Sequence, residues 1–256
     1  MSENFINDDM SYYDNEVDNE DDNGSNADFW ETQNKIKKRV KIAIISLALV
    51  IVICISVFAF NYFYVKKSYE SVASLVNLPE PNQQEATGEF VKQIDEYEIK
   101  FEIKANYVLY GRVVEKYHYQ PFTIVNKLSE YDLGIVWGKL LGEDLEDMNF
   151  RNNGNRFLQY RYSQSFTEKM GGKEAIINSL SNNHIIPSEE RILKCLRNLK
   201  EDDFIKLEGY LVDVTYTNIY NSYSANWTTS LSRTDHGDGA CEVFYVTNLV
   251  WLKEQK

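Results

Sequence analysis

Basic residues are absent from the first 34 positions of this 256-residue chain, a stretch that holds eleven acids. They are also thin where a nucleic-acid surface would need them. Residues 68–256 carry 20 Lys and Arg against 28 Asp and Glu, a net charge of −8. Binding nucleic acid requires clustered cations that displace counterions from phosphates, so no nucleic-acid partner is expected. Cysteine is scarce: three in the chain, with no C-x-x-C, no H-E-x-x-H and no paired Cys/His spacing. Neither a zinc site nor any other metal or cofactor is therefore expected. No internal repeat is present.

What cations there are gather in one place. Residues 35–67 hold seven basic residues and no acids. They flank Ile42–Phe60, 19 residues without charge, Pro or Gly. As a helix this run is about 28 Å long, close to the roughly 30 Å hydrocarbon core of a bilayer. It reads as a transmembrane helix whose partner is the lipid bilayer, and Tyr62, Phe63 and Tyr64 suit an interfacial aromatic belt. The leading flank KIKKRVK carries five cations and the trailing VKK two. The positive-inside rule then predicts a cytoplasmic N-terminus and an extracytoplasmic C-terminal domain in the cell membrane. The run starts too late and is too long for a cleaved signal peptide, which leaves a signal anchor.

The flanking regions follow from composition. Residues 1–34 are acidic and poor in aliphatics, so they cannot offset their conformational entropy and are expected to be disordered. The plain reading of this tail is a solvated spacer, and the sharper one a short docking segment around Phe29 and Trp30. Residues 35–65 are the helix with its flanks. Residues 66–96 are polar, with Pro79 and Pro81, and read as a stalk. From Tyr97 the chain alternates: Tyr97, Ile99, Phe101 and Ile103 against Glu98, Lys100, Glu102 and Lys104, a half-buried strand. Strand-like runs rich in Val, Ile, Tyr, Phe and Thr recur to Trp251. Two short helices are expected, Lys173–Leu180 and Ser188–Leu199, the latter with Ile192, Leu193, Leu196 and Leu199 as its apolar face. The fold class is α+β: an N-terminal transmembrane helix, then a curled antiparallel sheet or small open β-barrel over 97–256.

Four stretches carry a resemblance: Tyr131–Gly138 (YDLGIVWG), Asn182–Pro187 (NNHIIP), Leu207–Val212 (LEGYLV) and Trp227–Glu242, which contains Arg233-x-Asp235-x-Gly237-x-Gly239-Ala240-Cys241-Glu242. In order and content they resemble a family of bacterial single-pass membrane proteins that ends in the same R-x-D-x-G-x-G-A-C-E signature. The resemblance covers about residues 97–256. It implies an anchored envelope protein and no particular activity.

The signature loop also carries the candidate chemistry. Cys241 is a candidate nucleophile, His184 or His236 its base and Asp235 the group orienting the imidazole. Arg233, Glu242 and Trp227 are candidate binding residues, Arg233 suiting an anionic group. The bland alternative is a hairpin loop with Arg233 and Asp235 as a structural ion pair. Outside the cytoplasm Cys195 and Cys241 are a candidate disulfide, two buried free thiols being the other reading. Two functions remain open. One is a membrane-anchored extracytoplasmic binding or accessory module for an envelope protein or peptide. The other is an envelope hydrolase or transferase with a Cys/His/Asp site.

Overall fold

The computed structural model describes residues 23–232 and 240–255. Contacts divide the chain into two units, 1–60 and 61–256. The first is dominated by helix α1 (Asn23–Phe63), of 41 residues. Its segment Asp28–Phe60 is long and apolar enough to cross a membrane. The helix begins earlier than the apolar run because nothing between Asn26 and Ile42 breaks it, and Glu31 pairs with Lys35 one turn on at 2.6 Å. The expectation of a disordered segment to residue 34 is thus corrected for 23–34, where Phe29 and Trp30 are helical and exposed. The rest of that tail lies outside the described residues.

The second unit holds strands β1 (Tyr69–Val72), β2 (Asn82–Ile94), β3 (Tyr97–His118), β4 (Tyr131–Val136), β5 (Met148–Asn152), β6 (Leu158–Tyr162), β7 (Leu180–Pro187), β8 (Phe204–Asn218), β9 (Ser224–Trp227) and β10 (Glu242–Glu254). Between them, among the described residues, lie four α-helices, α2 (Ile124–Leu128), α3 (Gln164–Met170), α4 (Lys173–Ile177) and α5 (Glu190–Asn198), and two 3-10 turns, Gly138–Gly142 and Leu145–Asp147. The second expected helix is α5, entered through Glu189 rather than Ser188. The first is α4, which stops at Ile177 because Leu180 already belongs to β7. Helices α2 and α3 were not anticipated.

Residues 66–96 are not a stalk. Val65 packs against the main core, β1 pairs in parallel with the end of β10, and β2 pairs along β3. The polar sequence of β2 misleads because an edge strand is held largely by its backbone, while only Phe90 and Ile94 contribute to a core cluster.

Five strands return on themselves. β3 pairs with β4, β4 with β7, β7 with β10, β10 with β8, and β8 again with β3. The ring is therefore a small barrel. It is not wholly antiparallel, because β10 runs parallel to both β7 and β1. The parallel pairing follows from α5 and β8 intervening before the chain returns beside β7. The strand read from Tyr97 carries a register shift between Ile103 and Ala105, beyond which Ala105, Tyr107, Leu109 and Val113 point into the ring with Leu133, Ile135, Ile185, Leu207, Leu211 and Phe244. Ile192, Cys195 and Leu196 of α5 join this cluster, each fully buried aliphatic side chain contributing about 1.5–3 kcal/mol.

Closing the ring demands a close approach. At Gly209 of β8 an added Cβ would lie 2.0 Å from the carbonyl oxygen of Tyr245, where β10 carries a register shift between Val246 and Asn248. Beyond the ring, β3 and β8 extend with β2 and β9 into a four-stranded sheet. Its inner face, with Ile99, Phe101, Val212 and Val214, packs against Val243 and Tyr245 of β10 and Ile186 of β7. Those three residues alternate with Phe244 and Ile185, so the extension covers the outside of the barrel wall.

The end of α5 is fixed by a lysine. Lys116 Nζ of β3 donates to the carbonyls of Leu196 (2.8 Å), Arg197 (3.2 Å) and Leu199 (2.7 Å), the acceptors a helix leaves unpaired at its C-terminus. Lys116→Met keeps the stem and loses the cap. It is expected to destabilise the domain by about 2 kcal/mol, read from the urea midpoint of tryptophan fluorescence. An unchanged midpoint would show that water replaces the ammonium without loss.

Candidate functional site

The site grows from a single register. β4 is buried throughout, with Tyr131, Leu133 and Ile135 facing the ring interior. Asp132 therefore points to the outer face, and β4–β7 pairing sets it directly opposite His184. His184 Nδ1 and Asp132 Oδ1 are 2.9 Å apart, with the two residues 4% and 1% exposed. His184 is an interior strand residue, because NNHIIP pairs with both β4 and β10.

A buried carboxylate must be satisfied, and three further groups converge on it. Arg156 Nη1 donates to Oδ1 at 2.9 Å, and Tyr119 Oη donates to Oδ2 at 2.9 Å. Asn152 Nδ2 stands 3.5 Å from Oδ2. Burial, then the charge of Asp132, raises the Tyr119 phenol well above its ordinary range, so it remains a donor. Arg156 comes from the segment between β5 and β6. That hairpin pairs with itself and lies on β4 through side chains: Leu158 packs on Gly134, where an added Cβ would be 2.9 Å from Leu158 Cδ1.

Trp227 closes the group. It ends β9, and its ring lies 4.8 Å from the His184 imidazole. Cys241 sits just before β10, one step from the Glu242–Asn183 pair. Its Sγ receives Asn182 Nδ2 at 3.3 Å and lies 3.9 Å from the Arg156 carbonyl. The structure thus sets Trp227 against His184 and Cys241 beside Asn182, two residues along β7 from His184, with Glu242 buried at the start of β10. The carboxylate orienting His184 is Asp132; Asp235, expected in that role, lies outside the described residues, as do Arg233 and His236. Cys195 and Cys241 are both free thiols, which corrects the candidate disulfide. Cys195 is locked in the core under α5, whereas Cys241 is held beside Asn182. Among the described residues no three His, Cys, Asp or Glu side chains form a metal-binding group.

Asp132, Tyr119, Asn152 and Arg156 were missed by sequence reasoning. Asp132 had a signal, as a lone acid in the otherwise apolar run YDLGIVW, since an acid in a buried strand needs partners. Arg156 had none, because only the tertiary fold brings it there.

No family model, curated protein or solved structure matches this chain. Connectivity still defines a class. Numbered along the chain, the ring strands run first, second, third, fifth, fourth and back to first, with the third and fifth parallel and a helix between the third and fourth. That is the order of the OB-type barrel, a five-stranded architecture that hosts many unrelated functions.

Proposed function

We propose that this chain is a single-pass, membrane-anchored binding module, its N-terminal tail cytoplasmic and its barrel domain extracytoplasmic, with an envelope protein or peptide as ligand. The carrying observation is where its exposed aromatics lie. Phe122, 85% exposed, tops the loop between the first and second ring strands. Tyr220, 83% exposed, tops the loop after the fourth, with Ile219 and Tyr223 beside it. In OB-type barrels these two loops border the ligand face. Here both flank the β2–β3 turn: Lys127 pairs with Asp95, and the Ile219 amide donates to the Glu96 carbonyl at 3.0 Å. Exposed aromatics gathered at one end of a domain are a common mark of a binding surface. The basic flank before the span supports the orientation.

The test places a photo-crosslinking residue at Phe122 or Tyr220 of the full chain in membranes, with Glu201 as control. A discrete adduct from the first two positions is expected. Adducts from neither would overturn the reading. In this reading His184 is a structural residue and does not activate Cys241. The Cys241 alkylation rate is then expected to stay within about twofold in His184→Asn, since no thiolate–imidazolium pair is lost. A tenfold drop would instead establish a Cys–His pair and favour the hydrolase or transferase reading.

A further inference from the structure

Arg156 sits in its surroundings as a ligand sits in a receptor. Its guanidinium carbon lies 4.0 Å from the centre of the Tyr119 ring and 5.1 Å from that of Trp227. Nη1 donates to Asp132 Oδ1 (2.9 Å) and Ser129 Oγ (3.3 Å). Nη2 donates to Asn126 Oδ1 (2.8 Å) and the Ser129 carbonyl (2.8 Å). Two aromatic faces, one carboxylate and a planar set of acceptors are what a guanidinium needs to leave water.

The cage and its occupant come from different parts of the fold. Tyr119, Asn126 and Ser129 belong to the loop between β3 and β4, Asp132 to β4 and Trp227 to β9. Arg156 alone comes from the β5–β6 hairpin. That hairpin forms its own two-stranded sheet, with no strand pairing to the ring among the described residues. It presents Arg156 at a φ of 65°, a left-handed conformation that costs a non-glycine residue free energy. A strained residue on a separately paired hairpin places its guanidinium among groups that all come from other elements, while Asn152 of the same hairpin touches Asp132 and Tyr119 from the side.

We infer that the Tyr119–Trp227–Asp132 cage is a binding site for an arginine side chain, held in cis by Arg156 and open to exchange with an arginine-bearing peptide segment. When the exchange occurs, the β5–β6 hairpin lifts from β4 and the incoming guanidinium takes its hydrogen bonds. The site lies on the outer face of the second and third ring strands. It shares the β3–β4 loop with Phe122 of the contact surface proposed above, but the measurements below read the cage alone and do not depend on that surface.

The test uses the full chain in detergent micelles, with arginine amide as the probe and citrulline amide as its neutral counterpart. Arg156→Ala empties the cage. Arginine amide is expected to raise its thermal midpoint saturably and to bind at least about tenfold more tightly than citrulline amide, since the charge is the recognised feature. Trp227→Leu in that background is expected to abolish the effect. The decisive reading is on the wild type. Saturating arginine amide is expected to raise hydrogen exchange across 148–162, while citrulline amide leaves it unchanged. Binding by Arg156→Ala without any change in wild-type exchange would make Arg156 a permanent staple and overturn the inference. So would indifference of Arg156→Ala to arginine amide. Should Arg156→Ala fail to fold, the wild-type exchange measurement decides alone.

Discussion

Asp132→Ala is expected to lower the stability of the barrel domain by about 3–5 kcal/mol, the cost of breaking a buried charge pair from one side. The carboxylate is 1% exposed and accepts from Arg156, Tyr119 and, depending on the tautomer, His184. Its removal leaves the Arg156 guanidinium in a largely closed site with no counter-charge. Urea titration of the full chain in micelles, followed by tryptophan fluorescence, reads the loss. Asp132→Leu combined with Arg156→Leu should cost less than the two single changes added together, because the second removes the charge that the first orphans. Strict additivity would mean that water enters and solvates whatever remains. The same cluster predicts an alkaline limit. The Tyr119 phenol is raised in the folded state. The folded protein thus holds a proton that the unfolded chain gives up, and this contribution is intact below about pH 10 and declines as the pH rises further. Tyr119→Phe should flatten that decline.

The second large effect is expected at Gly209→Ala. An added Cβ meets the Tyr245 carbonyl oxygen at 2.0 Å and the Thr247 amide nitrogen at 3.1 Å. Both obstacles are backbone atoms of the neighbouring ring strand, so no rotamer change relieves them. The β8–β10 pairing must separate at the point where the ring closes, at a cost on the order of 3 kcal/mol or more. Circular dichroism in micelles should show altered sheet content while the helical signal of α1 persists. A fully native spectrum and midpoint would mean that the register shift after Val246 has room to absorb a methyl group.

How much of this was legible depended on whether a feature lived in local pattern. The alternation from Tyr97 is a strand period and β3 runs where it points, but the register shift after Ile103, which hands the buried side from the sheet extension to the ring, left no mark in the pattern. Helix α5 was readable for a similar reason, since Ile192, Leu196 and Leu199 repeat at helical spacing. β1 and β2 were not, because an edge strand is defined by whom it pairs with, and their sequences YESV and NQQEATGEFVKQI carry little apolar content. The site divides along the same line. His184, Trp227 and Cys241 were picked out as residue types; the first two pack together, and Cys241 contacts Asn182 of the same strand as His184. The acid that completes them is 52 positions from His184 and comes opposite it through strand register. Arg156 arrives on a hairpin whose docking depends on a missing side chain at Gly134, an absence that no periodicity records.

The placement of β10 sets the order in which this chain can be assembled. It supplies both missing ring edges, to β7 and β8, and also the partner of β1, whose residues 69–72 pair with 251–254. Every strand it joins is synthesised earlier, so a nascent domain waits with three unpaired edges exposed. Loop closure across some 180 positions is slow, and open edges recruit other strands. A chain interrupted before residue 242 is then an aggregation-prone species, its ring open and its edges unpaired.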